Sequence, residues 1–214
     1  MKPIHFNTEM VKAILDGRKT QTRREPVILQ DIEIPEEGFI HQCPDGTMMG
    51  RQQVLRYNSH GQESIDVEWI NFPIIPKYKV GDILYVKEAF TLFDDDGEFT
   101  YIYYKADHQK LYYDTIKKWK SPRYMPKEAA RIFLKVTDVR VERLQEITPP
   151  DIQKEGYQEC TDVIHNICSN RHHCKVWYTE LWDTIYKKKG FGWDTNPFVT
   201  VVTFERIEKP QEEE

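Results

Sequence analysis

Segments with strand character dominate this 214-residue chain after residue 80, and few helical segments separate them. The strand patterns cover residues 81–88, 100–105, 129–141 and 198–204, and the helical patterns cover residues 8–16, 148–155 and 176–187. A doubly wound parallel sheet needs a helix between successive strands, and this order does not provide one. The order of elements therefore predicts an α+β fold, in which a mixed β-barrel carries a few helices at one side.

The first predicted helix leads into a strongly basic loop. Thr8 is a suitable N-cap, and Gly17 ends the helix because glycine takes the left-handed conformation without strain. The loop that follows combines cations with hydroxyl groups: Arg18, Lys19, Thr20, Gln21, Thr22, Arg23 and Arg24. The whole chain has a net charge of −5, so this local positive charge indicates a place where an anion or a polar reacting group binds.

Lys19 and Thr22 lie three residues apart, a spacing at which side chains in a turn face the same way. Neighbouring cations disfavour a further ammonium and lower the pKa of a lysine. A neutral Lys19 amine is therefore able to accept the Thr22 proton and make that hydroxyl a nucleophile. The same loop is also consistent with a solvated basic surface, or with a phosphate-binding loop that has no catalytic role.

Residues 25–79 are predicted to form an insertion, because prolines and glycines interrupt them repeatedly. Within them, alternating segments at 53–57 and 64–70 flank turn-forming residues, which is the pattern of a hairpin.

The two ends of the chain carry further predictions. Residues 208–214 are mostly acidic and predict a disordered tail, so residues 1–207 are expected to form one domain. No apolar run approaches the length of a membrane helix, and the N-terminal residues lack the apolar core of a signal peptide. These observations predict a cytoplasmic protein with no membrane partner.

Several segments, in a fixed order, resemble the ASCH domain family, whose members share a PUA-like β-barrel, in the long form found in phages and prophages. The resemblance is carried by residues 17–24, 81–88, 125–132, 139–147, 155–156, 181–183, 193–197 and the last strand. It covers residues 1–24 and about 80–207, and it leaves the insertion 25–79 outside. It implies a closed or nearly closed barrel with a cleft for nucleosides or nucleic acid.

The small family members that are similar in the first loop are amidohydrolases that remove the acetyl group from N4-acetylcytidine. The resemblance implies that Lys19, Thr22 and Glu155 carry the chemistry and that no cofactor is required. Other members are ribonucleases or RNA-binding regulators, so a non-catalytic RNA-binding module and a ribonuclease for single-stranded RNA remain alternatives. The expected partner is accordingly a nucleoside or single-stranded RNA.

Further residues are expected to bind the substrate around this centre. Arg23 or Arg24 is a candidate to stabilise the oxyanion, and Tyr85 or Trp119 is a candidate to stack on the base. Arg18, Thr20 and Glu88 complete the predicted substrate-binding set. The alternatives are that Glu155 faces solvent, that the two aromatic residues are core or rim residues, and that Glu88 forms a structural ion pair, for example with Arg23.

Cysteine and histidine residues cluster near residue 165. Cys160, Cys168, His172 and Cys174 offer enough thiolate and imidazole groups for a structural zinc ion. Their spacing is not the paired Cys-x-x-Cys of a zinc finger, so a polar loop with unbound thiols is the alternative interpretation.

Two clusters fit the RNA-binding alternative. The first is aromatic and consists of Tyr101, Tyr103, Tyr104, Tyr112 and Tyr113. The second is basic and consists of Lys117, Lys118, Lys120 and Arg123. Tyrosines stack on bases and these cations neutralise phosphates, whereas the net acidic charge disfavours broad nonspecific binding to a duplex.

Overall fold

The computed structural model of the chain describes residues 1–24, 27–28, 39–42, 48–57, 63–95, 99–107, 118–158 and 170–211. Its strands in chain order are β1 (Lys2–His5), β2 (Gln21–Arg24), β3 (Val27–Ile28), β4 (Phe39–Gln42), β5 (Met48–Tyr57), β6 (Glu63–Ile75), β7 (Ile83–Lys87), β8 (Phe90–Asp95), β9 (Phe99–Tyr104), β10 (Phe133–Arg143) and β11 (Phe198–Ile207). Its α-helices are α1 (Thr8–Leu15), α2 (Pro149–Lys154) and α3 (Asn170–Tyr186). The mixture of a few helices with many strands confirms the predicted α+β class.

Five strands form the central sheet in the order β1-β7-β10-β11-β2. Strand β1 runs parallel to β7, and the other neighbours pair antiparallel, so the sheet is mixed as predicted. The sheet does not close into the predicted barrel, because its edge strands β1 and β2 share no backbone ladder among the described residues. The two edges nevertheless approach each other, since the Arg24 guanidinium on β2 donates a hydrogen bond of 2.7 Å to the His5 carbonyl on β1.

Residues 25–79, the predicted insertion, contribute a separate four-stranded antiparallel sheet in the order β3-β6-β5-β4. Strands β5 and β6 pair along nearly their whole lengths, with a register shift after Leu55, and they include the two segments predicted to form a hairpin. Strands β8 and β9 form a third, two-stranded sheet. Residues 208–211 lie within the described part of the chain and residues 212–214 do not, so the predicted acidic tail is only partly covered.

Both faces of the central sheet are covered by apolar side chains. On β11, Val202 and Phe204 belong to the core on the α1 side, whereas Val199 and Val201 pack against α2 and α3. This alternation is the period-2 pattern of a strand that is buried on both faces. The helices therefore lie against the sheet from two sides, and the loop after α1 runs along its β2 edge.

The helix boundaries differ in detail from those predicted. Asn7, and not Thr8, is the N-cap of α1, since its side chain accepts a hydrogen bond of 2.8 Å from the Met10 amide. Gly17 has the expected left-handed conformation, with φ of 73°. Helix α3 begins at Asn170, six residues before the predicted start at residue 176. The buried residues Cys174, Tyr178, Trp182 and Tyr186 follow one another at four-residue spacing, so the core-facing side of the helix already begins before residue 176. None of the described helices is long and apolar enough to cross a membrane.

Candidate functional site

Backbone hydrogen bonds hold the basic loop against two neighbouring elements. The backbone amides of Arg18 and Lys19 both donate hydrogen bonds to the Ala13 carbonyl, and these two bonds end α1 and turn the chain. The Thr20 amide donates to the Lys154 carbonyl of α2, and the Thr20 carbonyl accepts from the Phe204 amide of β11. The loop is thereby fixed between α2 and the sheet. The side chains of Lys19, Gln21, Thr22 and Arg23 are buried, so the alternative of a solvated basic surface does not describe them.

Lys19 is a fully buried cation of the site, with 0% of its side chain exposed. Its Nζ donates to the Glu155 carboxylate at 2.8 Å, and to the carbonyls of Gln21 and Glu155 at 2.9 Å each. These three acceptors use every donor of an ammonium group. The structure thus brings Lys19 and Glu155 together across 136 residues of sequence, and Glu155 is buried and does not face solvent.

The pKa of Lys19 lies below the usual lysine value of 10.5, in the direction predicted. Burial is the largest cause, and the charge and hydrogen bond of Glu155 oppose it. Arg24 and Arg23 lower the pKa of Lys19 further, but they rank after burial. The prediction that neighbouring cations depress this pKa therefore identified a smaller cause than burial, which the sequence pattern did not reveal.

Arg23 is held by three carboxylates, one from β10 and two from α2 and its C-cap. Its guanidinium contacts Glu155 at 3.3 Å, Glu142 of β10 at 3.0 Å and Asp151 of α2 at 3.5 Å. Burial lowers the pKa of Arg23, but the carboxylates Glu155 and Glu142 outweigh it and raise that pKa above its usual value. Because these acids occupy its side chain, Arg23 does not fit the predicted role of oxyanion donor.

A small cavity lies beside the Lys19–Glu155 pair. Its volume is about 20 Å³, which is the space of roughly one water molecule. Thr22, Glu155 and Tyr178 contribute to its lining. Thr22 is buried, and its hydroxyl is not an acceptor of the Lys19 hydrogen bonds within the described structure, so a direct Lys19–Thr22 contact is not part of this arrangement.

Tyr178 of α3 is a site residue that the sequence analysis missed. It is buried beside Glu155 and Arg23, and burial raises its pKa well above 10. Helical spacing in the sequence singled out Trp177, Leu181, Trp182 and Ile185 on this helix. It therefore included Trp182 but missed Tyr178 and Tyr186, which also face the core. The four-residue spacing of Cys174, Tyr178, Trp182 and Tyr186 was the signal that could have identified this face.

A larger cleft of about 400 Å³ adjoins the small cavity, and the two share Arg24, Ile185 and Tyr186 in their linings. The other residues around the cleft are Ile4, His5, Lys77, Tyr78, Lys189, Thr200 and Val202. Burial lowers the pKa of His5, and the cations Lys87, Lys77 and Arg24 lower that pKa further. The cleft is therefore a region of positive potential directly beside Thr22 and Glu155.

The remaining predicted substrate-binding residues have other surroundings. Arg18 donates to the Gly156 carbonyl and pairs with Asp16, each at 2.8 Å, so it braces the loop. Tyr85 is half-buried and packs against the core around Phe90 and Met125. Trp119 is half-buried, and neither it nor Tyr85 lines the small cavity or the cleft.

Glu88 is buried and pairs with Arg131 at 2.9 Å, and not with Arg23. Burial raises the pKa of Glu88 above 4.5, although its hydrogen bond to Arg131 acts in the opposite direction. Arg131 also binds Asp107 and lies over the Tyr104 ring at 3.9 Å. These contacts place Glu88 in a structural network away from Lys19.

The predicted zinc ligands fall mostly outside the described residues. Cys160 and Cys168 are not described, nor is the side chain of His172. Cys174 lies on α3 and is buried in the same hydrophobic core as Tyr178 and Trp182. Among the described side chains, no group of three or more His, Cys, Asp or Glu residues is placed to hold a metal ion, and the zinc site stays a prediction.

The fold and site together define an α+β protein with a buried lysine–glutamate pair at the edge of a cationic cleft. Comparisons of the chain with family models, with curated proteins and with solved structures found no match.

Proposed function

We propose that this protein is an amidohydrolase that removes an acyl group from the exocyclic N4 nitrogen of a cytidine-type substrate. The observation that carries the proposal is the buried Lys19–Glu155 pair, 2.8 Å apart, beside a cavity that Thr22 lines. A buried ion pair contributes little net stability, because the cost of desolvating both charges offsets their attraction. Stability therefore does not explain the Lys19–Glu155 pair, and its position beside a hydroxyl group and a cleft favours a chemical role. We also propose that the chain belongs to the ASCH domain family and has its PUA-like architecture.

The first chemical step joins the substrate to Thr22. Its hydroxyl oxygen attacks the acyl carbon while the hydroxyl proton passes to the Lys19–Glu155 pair. The bond between the acyl carbon and N4 then breaks, and the pair returns the proton to N4, which leaves as the free amine of cytidine. The lowered pKa of Lys19 assists the return step, because a weakly held ammonium proton is readily donated.

The second step releases the acyl group. Water attacks the Thr22 ester, the acyl group leaves as a carboxylic acid, and the Thr22 hydroxyl is restored. A cavity of about 20 Å³ beside Thr22 and Glu155 has room for one such water molecule. Arg23 is occupied by carboxylates, so Arg24 is the arginine of this loop that reaches the substrate from the cleft.

The test is release of cytidine and acetate from N4-acetylcytidine by the purified protein, followed by chromatography. Thr22→Val removes the hydroxyl at nearly constant volume and is expected to abolish turnover. Glu155→Gln is expected to lower kcat by about 10²- to 10⁴-fold, the usual contribution of a positioned acid–base group.

Thr184→Val is the matched control, because Thr184 bonds only to carbonyls of its own helix in the described structure and is exposed. It is expected to keep full activity. Absence of deacetylation by the unmodified protein, or full activity of Thr22→Val, would reject the proposal.

A non-catalytic RNA-binding module is the second candidate, and the cationic cleft is the observation that favours it. Binding of several phosphates would make the affinity for single-stranded RNA fall steeply with salt. Of the tyrosines predicted to stack on bases, Tyr104 does not fit that role, because its hydroxyl donates to the Ala129 carbonyl and its ring lies under the Arg131 guanidinium. Cleavage of single-stranded RNA by the pure protein would instead favour the ribonuclease alternative.

A further inference from the structure

The cleft next to Thr22 is lined by four basic side chains and by no carboxylate among its described residues. His5, Arg24, Lys77 and Lys189 come from four parts of the chain: β1, β2, the segment between β6 and β7, and the turn after α3. The central sheet curves so that its two edges bring these groups together. A neutral nucleoside does not require the positive charge of Arg24, Lys77 and Lys189, so the cleft is built for a ligand that carries an anion.

Two buried polar atoms of this cleft lack hydrogen-bond partners among the described residues, namely Arg24 Nε and Thr200 Oγ1. Arg24 and Thr200 are direct neighbours in the β2–β11 pairing, so their side chains lie on the same face of the sheet. Buried polar groups are nearly always satisfied, and an unsatisfied one costs as much as a lost hydrogen bond. These two atoms are explained if a ligand oxygen binds between them.

We propose that this cleft binds a phosphate group, so that the substrate is a mononucleotide and not a free nucleoside. The phosphate oxygens accept hydrogen bonds from the Arg24 guanidinium and from the Thr200 hydroxyl. The Nη2 atom of Arg24 is already held by its hydrogen bond to the His5 carbonyl. Lys77 and Lys189 add charge at the rim.

Size and position support a mononucleotide. The cleft volume of about 400 Å³ lies in the range of small-molecule sites. Thr22 and Arg24 lie two residues apart on one strand, so their Cα atoms are separated by about 7 Å and their side chains share one face. The inference rests on the proposed function for the identity of the base, but the phosphate site itself is testable by binding alone.

The binding experiment compares N4-acetylcytidine with its 5′- and 3′-monophosphates by calorimetry, using Thr22→Val so that no turnover occurs. At least one monophosphate is expected to bind ten to a hundred times more tightly than the nucleoside, as charge-assisted hydrogen bonds provide. Inorganic phosphate is expected to compete. Equal affinity of the nucleoside and both monophosphates would overturn the inference.

Two substitutions locate the site. Thr200→Val is expected to weaken monophosphate binding severalfold while leaving the unfolding midpoint unchanged or higher, because it removes an unsatisfied hydroxyl at constant shape. Lys77→Gln, at an exposed position, is expected to weaken it similarly. Lys135→Gln removes an exposed charge outside the cleft and is expected to leave affinity unchanged. Unchanged affinity in both cleft variants would overturn the inference.

The two proposals fail separately. Tight monophosphate binding without any deacetylation would leave the phosphate site standing and remove the amidohydrolase. Deacetylation of nucleoside and monophosphates with equal kcat/KM would leave the enzyme and remove the phosphate site. An acetylated RNA oligonucleotide that binds tightly while the monophosphates bind no better than the nucleoside would replace the mononucleotide by an RNA strand.

Discussion

Lys19 and Arg23 come from the same basic loop, yet the structure places them in different electrostatic situations. Lys19 has one carboxylate partner and two carbonyls, and its pKa is lowered because burial outweighs Glu155. Arg23 has three carboxylate neighbours, and its pKa is raised. At residue scale, burial therefore lowers the pKa of Lys19, whereas the carboxylates around Arg23 raise its pKa and are held in place by its guanidinium.

The Lys19–Glu155 pair is testable by a double-mutant cycle. Lys19→Met and Glu155→Gln are each expected to lower the free energy of unfolding by about 3 kcal/mol, because each leaves a buried partner unpaired. The double variant is expected to be more stable than the sum of the two losses by about 1 to 3 kcal/mol. Urea denaturation followed by tryptophan fluorescence measures all three, and strict additivity would contradict a direct interaction.

The exposed pair Lys12–Glu9 provides the control for that cycle, since its nitrogen–oxygen distance is 3.4 Å and both side chains are solvated. Lys12→Met is expected to change the free energy of unfolding by about 1 kcal/mol or less. A loss as large as that of Lys19→Met would indicate that charge removal, and not burial, determines the effect.

The contacts of Asp151 predict how the free energy of unfolding depends on pH in the acid range. Burial raises the pKa of Asp151, but hydrogen bonds from Thr148 and the charges of Arg23 and Arg140 outweigh it, so this pKa lies below 3.8. A carboxylate with a depressed pKa in the folded state stabilises the protein above its unfolded value of 3.8, and this contribution is lost as pH falls through the folded pKa. Asp151→Asn keeps an acceptor for Thr148 and removes the charge.

The difference in free energy of unfolding between the unmodified protein and Asp151→Asn is therefore expected to be constant at neutral pH and to shrink below pH 3.8. Chemical denaturation in a series of buffers measures it. A difference that stays the same down to the lowest pH at which the protein folds would contradict this assignment.

At the scale of elements, the C-terminal end of α2 is what delivers Glu155 to Lys19. Glu155 is the C-cap of α2, and Gly156 follows with φ of 102°, which returns the chain toward the basic loop. A Cβ at Gly156 would lie 2.9 Å from the Ala13 Cβ and 3.4 Å from the Lys19 Cβ. The junction thus needs glycine both for its backbone conformation and for the close approach of α1 and α2.

Gly156→Ala is expected to lower the free energy of unfolding by more than about 2 kcal/mol, because backbone strain and a steric clash add together. Gly190→Ala is the matched control: its φ is 86°, but a Cβ there meets nothing within 4 Å, so only the backbone strain of about 1 kcal/mol remains. Urea denaturation compares the two, and equal losses would contradict the close packing at Gly156.

At the scale of the whole molecule, β10 connects the two halves of the central sheet. It pairs with β7 on one side and with β11 on the other, and Leu134 lies opposite Leu84, with both residues fully buried. The same sheet curves until Arg24 on one edge reaches His5 on the other. The cleft therefore depends on the integrity of the whole sheet, because its lining residues come from β1, β2 and β11, from the end of α3 and the turn after it, and from the segment before β7.

Leu134→Ala is expected to cost about 2 to 5 kcal/mol of unfolding free energy, the range for truncating a buried leucine. Leu92→Ala makes the same chemical change at a position that is 43% exposed, and a much smaller loss is expected. Thermal and urea denaturation measure both. Similar losses at the two positions would contradict the assignment of β10 to the centre of the fold.

Local patterns were sufficient for much of the fold. Alternation located β7, β9 and β11 to within a few residues, and Gly17 marked the end of α1. The start of β10 was predicted at residue 129, but a short 3-10 helix occupies Lys127–Ala129 and the strand begins at Phe133. Apolar composition alone does not distinguish a buried turn from a strand.

The sequence by itself determined the α+β class, the helix stop at Gly17 and the presence of a lysine with a threonine three residues later, because these depend on local conformational preference and spacing. Only the tertiary structure decided that Lys19 is buried against Glu155, that Arg23 is occupied by acids and that Tyr178 and Thr200 join the site. These features depend on which residues distant in sequence become neighbours, and on how much water burial removes from each charge. Periodicity within a single segment contains neither quantity.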